Sequence, residues 1–237
     1  MTYVEGFVAA VPAANKDAYL KHATEAAVIF KDLGASRVVE AWGDDVPEGK
    51  VTDFNRAVKA EPGEVIVFSW IEFPSKAVAE QTFAKFMTDP RSQGMGQSMP
   101  FDGQRMIYGG FSPISDSSTG GKPGYIDGVL LPVPEGNKDA YQALARRASS
   151  IFTEHGASRV VEAWGDNVPD GKVTDYKGAV QAKGDENVVY SWVEWPSKQA
   201  RDEGWQKIMA DARMTSEDTP YDGKRMVYGG FAPILDA

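Results

Sequence analysis

The sequence predicts an α+β protein made of two βαββαβ repeats packed sheet to sheet. Three observations lead there: the chain matches itself at a long fixed shift, each copy runs through the same order of strand and helix patterns, and each copy leaves one sheet face without helices. The self-match aligns YVEGFVAAVPAANKDAY at 3–19 with YIDGVLLPVPEGNKDAY at 125–141, a shift of 122, and GASRVVEAWGD recurs unchanged at 34–44 and 156–166. Beyond Asp89 and Asp211 the shift becomes 120, where MPFDGQRMIYGGF from Met99 meets TPYDGKRMVYGGF from Thr219, so the second copy is shorter in the loop before its last strand. Units of more than about 110 residues are domains rather than solenoid repeats. The expected division is 1–111 and 125–237, with SPISDSSTGGKPG at 112–124 as a flexible Ser/Gly/Pro linker.

Within a copy, residues 3–11 alternate as a strand closed by Pro12, and Asn15 or a neighbour caps a helix to about Leu33 that Gly34 ends. Its inner face is predicted to carry Tyr19, Ala23, Ala26, Ala27 and Phe30. Residues 36–42 are rich in β-formers and precede a polar loop, GDDVPEGKVTDF. Residues 65–73 form the most apolar strand, stopped by Pro74, and a second helix starts at Ser75 and reaches about Met87. A short last strand, 104–108, precedes Gly109 and Gly110. This is the ferredoxin-like order, in which two helices cover one sheet face. The uncovered face needs a partner, and the second copy on the same chain supplies it, as a sandwich or a closed barrel.

Composition narrows the function. With 42% hydrophobic and 25% charged residues the chain is ordinary globular protein, and a net charge of −9 without a basic run opposes nucleic-acid binding. There is no apolar run of about 18 residues for a membrane span and no leader pattern at the N-terminus, so a cytoplasmic location is expected. The absence of cysteine removes thiolate catalysis and Cys-ligated metals. His22 aligns with Leu144 and His155 with Leu33, so no repeated histidine site exists, and neither metal nor other cofactor is expected. In the polar loop, Gly49 and Val51 break the spacing of a phosphate-binding loop, and Asp44, Asp45, Glu48 and Asp53 break that of a calcium loop.

The stretches GASRVVEAWGDDVPEGKVTDF, VIVFSWIEFPSK and MPFDGQRMIYGGF resemble the YbaA-like bacterial family, domain-of-unknown-function family 1428, of the dimeric α+β barrel superfamily. The resemblance covers each copy nearly end to end. It implies that two copies form an intramolecular dimeric α+β barrel, a pseudo-dimer within one chain that leaves room for further homo-oligomerisation. Where the family pattern leads one to expect cysteine, Ala41 and Ala163 stand, so chemistry at such a cysteine has no place here. The superfamily includes monooxygenases, isomerases and dehydratases, so the resemblance implies a fold without a reaction.

Strand alternation places Glu40, Trp42, Phe68, Trp70, Glu72, Tyr3, Glu5, Phe7, Met106 and Tyr108 on the face toward the other copy, and Val4, Gly6, Val8 and Ala10 on the helix side. Glu40 and Glu162 are the catalytic candidates: a carboxylate between Val and Trp on a buried face has its charged form disfavoured and can act as general base or acid. The competing reading is a structural ion pair with Arg37, Arg105 or their counterparts. Trp42, Trp164, Trp70 and Trp192 could stack on a planar ligand or be core. Tyr108 and Tyr228 could donate to a carbonyl, and Arg105 and Arg225 could grip a carboxylate or pair with Asp102 and Asp222. Glu72 and Glu194, near the strand-ending prolines, are expected at the surface.

Three functional classes follow. The first is a cofactor-free enzyme acting on a small organic molecule by carboxylate acid–base chemistry. The second is a metabolite-binding or stress-related protein without turnover. In the third, the aromatic sheet face is only the interface between the copies.

Overall fold

The computed structural model describes residues 2–97, 99–214 and 219–237. Repeat 1 contains β1 (Tyr3–Pro12), α1 (Lys16–Leu33), β2 (Arg37–Asp45), the one-turn α2 (Phe54–Ala57), β3 (Glu64–Phe73), α3 (Lys76–Phe86) and β4 (Ile107–Ser118). Repeat 2 contains β5 (Tyr125–Pro134), α4 (Lys138–Glu154), β6 (Arg159–Asn167), α5 (Tyr176–Ala179), β7 (Glu186–Trp195), α6 (Lys198–Ala210) and β8 (Val227–Asp236). Local chemistry sets the ends as expected. Gly34 stops α1 with φ of 126°, a left-handed value that suits glycine, and the Ser75 hydroxyl accepts the Val78 amide at the start of α3. Asn15 does not cap α1; its Nδ2 donates to the Pro100 carbonyl at 2.8 Å.

Each repeat orders its strands β4-β1-β3-β2 or β8-β5-β7-β6, and the edges join crosswise, β2 to β8 and β4 to β6. The result is one closed, antiparallel, eight-stranded barrel with the longer helices outside. Closure removes the unpaired edges as well as the bare faces.

The predicted linker is largely strand. Residues 112–118 continue β4 and pair with β6, Ser112 opposite Trp164 and Asp116 opposite Val161. Pro113 has no amide to donate, and the register shifts between Pro113 and Ser115, which lets a proline sit in a paired strand. The composition that suggests flexibility therefore belongs to a seam strand, and only 119–124 is left as the connection to β5.

Pairing also corrects the assignment of faces. In β3, Phe68 and Trp70 point into the barrel as expected, but their partners are Val8 and Gly6 on β1 and Ala41 and Val39 on β2. Tyr3, Glu5, Phe7, Glu40 and Trp42 therefore lie on the helix side, and Val4, Gly6, Val8 and Ala10 on the inside. Repeat 2 follows the same parity, with Val161 and Ala163 inside and Glu162 and Trp164 outside. Both faces are apolar, so hydrophobicity alone gives no inward direction.

The barrel is filled, not hollow. Across the pseudo-twofold axis Phe68 stacks on Tyr190 (ring centroids 4.6 Å apart), and Trp70 meets Trp192 at a tilt of 31° (4.5 Å). Phe54 of α2 and Tyr176 of α5 enter the same core, beside Phe231 and Phe111. The polar loop before each short helix reaches across: Thr52 Oγ1 donates to the Ala179 carbonyl at 2.6 Å, and Thr174 Oγ1 to that of Ala57.

Candidate functional site

Glu40 lies on the outer face of the barrel, opposite Ser69 in the sheet and beneath α1. The Tyr19 hydroxyl donates to its Oε2 at 2.6 Å. Burial between sheet and helix raises the carboxyl from its usual range to about 7, against the lowering effect of hydrogen bonds from Tyr19 and Ser69. Burial, reinforced by the Glu40 charge, raises the Tyr19 phenol, so it remains a proton donor near neutrality. Neither Arg37 nor Arg105 pairs with Glu40.

This carboxylate lines a cavity of about 400 Å³ between the sheet and the helices α1 and α3. Helical spacing brings Tyr19, His22, Ala23, Ala26 and Phe30 of α1 to one wall. The opposing strands contribute Phe7, Ala9, Ser69 and Ile71, and Phe83, Phe86, Met87, Met95, Met99, Phe101 and Met106 complete a largely apolar wall that also includes Ser92 and Gln93. Among the described residues its lining contains no Lys or Arg, and Glu40 is its only carboxylate. Repeat 2 reproduces the carboxylate and its support: Tyr141 donates to Glu162 at 2.6 Å, Ser191 lies opposite, and burial raises Glu162 to about 7.

The other candidates separate from this pair. Trp42 and Trp164 are buried on the helix side, under Lys16 and Lys138. Trp70 and Trp192 are fully buried inside the barrel. Tyr108 and Tyr228 are half exposed and do not line this cavity; Tyr108 lines a separate cavity of about 520 Å³ with Gln104, Met106 and the 169–175 loop of repeat 2. Arg105 is fully engaged, bidentate to Glu64 at 2.7 Å and bonded to Asp102 and the Lys59 carbonyl; Arg225 holds Glu186, Asp222 and the Gln181 carbonyl in the same way. Their forks are occupied by the protein.

Glu72 and Glu194 are buried, at 7% and 1% exposure, contrary to the surface position expected. They close one end of the barrel with a crossed pairing: Arg159 grips Glu72 at 2.7 and 2.9 Å, and Arg37 grips Glu194 at 2.7 and 3.1 Å. Trp70 and Trp192 donate their indole N–H to the same carboxylates at 3.0 Å. Asp116 and Asp236 take the outer sides of the two guanidinium groups. This cluster joins the repeats and offers no free donor to a ligand.

Sequence reasoning named the carboxylates but not Tyr19, Ser69 or His22 as site residues. Tyr19 was legible as helix core, and its repetition as Tyr141 was visible, but only the fold sets it against Glu40.

The family profile described as "Protein of unknown function (DUF1428)" matches residues 2–103 and 124–223. The chain belongs to this family. "Uncharacterized protein YbaA" of Escherichia coli K12 is 61% identical over 116 residues, covering 49% of this chain and 99% of YbaA, and YbaA of Shigella flexneri matches equally. The chain thus holds two YbaA-sized units. Among solved structures, a "putative monooxygenase" of Fusobacterium nucleatum superposes with a TM-score of 0.59 at 8% identity, covering 99% of this chain and 93% of that one. One from Lactobacillus acidophilus gives 0.57 at 8% (100% and 95%), and an "anthrone oxidase-like protein" 0.55 at 13% (100% and 92%). At these identities the likeness is one of fold.

Proposed function

We propose that the cavity of repeat 1 binds a small, neutral, largely apolar organic molecule and that Glu40 exchanges a proton with it, without a cofactor. The observation that supports this most directly is a buried carboxyl group, raised to about 7 by desolvation, lining a largely apolar cavity of ligand size. A lining without cations does not favour a carboxylate or phosphate ligand. A ligand that donates a hydrogen bond, or holds an acidic C–H or O–H, complements the Glu40 carboxylate.

The chemistry then follows from the side chains. Glu40 in its charged form takes the proton; the bonding pair of the broken C–H or O–H bond stays on the ligand as an enolate or phenolate. Tyr19, a positioning residue, holds one carboxylate oxygen and stays protonated while Glu40 changes charge. Around pH 7 both forms of Glu40 are populated, the condition under which one group both accepts and returns a proton.

Deuterium exchange tests this. Neutral carbon acids (aryl ketones and 1,3-diketones) are incubated with the protein in D2O and followed by proton NMR. Exchange should rise as pH passes through about 7, and Glu40→Gln should slow it about a hundredfold or more while ligand binding persists. Undiminished exchange in Glu40→Gln would sink the proposal.

A further inference from the structure

On the helix wall of the cavity one polar side chain, His22, has no hydrogen-bond partner among the described residues. His22 lies one helical turn from Tyr19 on the same face of α1 and lines the cavity beside Phe101, whose ring it meets edge-on at 6.3 Å. It makes no hydrogen bond or ion pair among the described residues, whereas Tyr19 is committed to Glu40. Imidazole in a wall otherwise dominated by phenyl, methyl and thioether groups adds little to packing that leucine would not give, and leucine (Leu144) occupies the equivalent position of repeat 2. Burial lowers its pKa, so it enters the cavity neutral, with one nitrogen a donor and the other an acceptor.

We infer that His22 is the second polar contact of the repeat 1 ligand, which is therefore a neutral, mainly apolar molecule with two separated polar groups, one facing Glu40 and the other His22. The inference rests on the cavity reading above and goes beyond it in naming a specificity residue. Repeat 2 keeps the Glu162–Tyr141–Ser191 set with Leu144 in place of His22, so the two halves differ at this position. Five phenylalanines and four methionines in the lining suit a flat ring system between the two polar groups.

The probes are 1-naphthol, with one hydroxyl, and a panel of naphthalenediols that places a second hydroxyl at different ring positions. Affinities are measured on the full chain. The chain has only two histidines, so the His22 imidazole signals are identified by comparison with His155→Asn and report repeat 1 alone. At least one diol should bind about three- to tenfold more tightly than 1-naphthol, the range of one net hydrogen bond. That diol should shift the His22 ring signals, and in His22→Leu its affinity should fall to that of 1-naphthol for the same variant. His22→Asn, which keeps a hydrogen-bonding group, should retain part of the preference, and circular dichroism establishes that both variants fold. A preference that survives His22→Leu, or no preference for any diol over a bound 1-naphthol, overturns the role of His22 and leaves the cavity reading standing. If neither 1-naphthol nor any diol binds, the cavity reading falls and this inference with it.

Discussion

The seam between the repeats and the outer layer of each repeat have diverged to very different degrees. At the seam the residues correspond almost one for one: Arg37 with Arg159, Trp70 with Trp192, Glu72 with Glu194, each touching its counterpart's partner. In the outer layers the same alignment sets Glu5, Phe73, Ala79, Thr82 and Phe83 against Asp127, Trp195, Arg201, Gly204 and Trp205. A seam side chain touches both copies of itself, so changing one half misfits the other. An outer side chain answers only to its own repeat. The outer substitutions make sense as a set: Asp127 accepts from Trp195 (2.9 Å), Trp205 (2.8 Å) and Arg201 (2.9 Å). Gly204 leaves room for the Trp195 ring, which a Cβ there would meet at 2.4 Å.

The largest expected effect comes from breaking the seam. Arg159→Ala would leave Glu72 buried with only the 3.4 Å contact to Arg37 and the Trp70 indole. Losing one partner of a buried pair costs about 3–5 kcal/mol. Equilibrium denaturation should show this loss, and because the seam joins both repeats, both should unfold in one transition. A loss below about 1 kcal/mol would mean that the barrel does not depend on its charged end.

Next is the outer layer of repeat 2. Gly204→Thr alone forces a side chain into Trp195, and Trp195→Phe alone opens a void and strips a donor from Asp127. Each should cost about 1–3 kcal/mol. The double variant restores the Phe–Thr pairing of Phe73 and Thr82, so its loss should fall below the sum of the two by about 1 kcal/mol or more. Strict additivity would show that the two positions drifted independently.

How much of this was legible beforehand depended on whether one repeat sufficed to see it. The repeat, the order of elements, the stop at Gly34 and the cap at Ser75 are local, and the sequence carried them. So was the prospect that Glu40 and Glu162 are desolvated carboxyls, since Val and Trp flank them. What failed needed the second repeat in place. Glu72 and Glu194 read as surface groups because their arginines come from the opposite copy. The 112–118 stretch read as linker because its pairing strand lies in the other repeat. The parity of β1 and β2 was inverted because aromatic residues occur on both faces, and only the pairing with β3 fixes the direction.

A smaller effect separates Glu5 from its counterpart. Burial raises the Glu5 carboxyl to about 7, only partly offset by the charge of Lys76, and it has no hydrogen-bond donor among the described residues; Asp127 has three. A carboxyl whose folded pKa is raised leaves stability unaffected below its unfolded value of about 4.5 and lowers it progressively as pH rises to about 7, because the folded state holds a proton that the unfolded state has released. Glu5→Gln should therefore match the wild type in thermal melts at pH 4 and melt higher at pH 8, by about 2 °C or more. Equal shifts at both pH values would remove titration as the cause.

The smallest effect should come from Tyr108 and Tyr228. Tyr108 and Tyr228 are exposed at 52% and 50%, on strands whose inward positions are Ile107, Phe111, Val227 and Phe231. Replacing either with alanine removes little buried area and no hydrogen bond to Glu40 or Glu162, so stability should change by about 0.5 kcal/mol or less. Binding of 1-naphthol should also be unchanged, because neither side chain lines the cavity. A loss of binding in Tyr108→Ala would move the site from the helix side of the sheet to the barrel end near β4, and Glu40 would lose its claim to the chemistry.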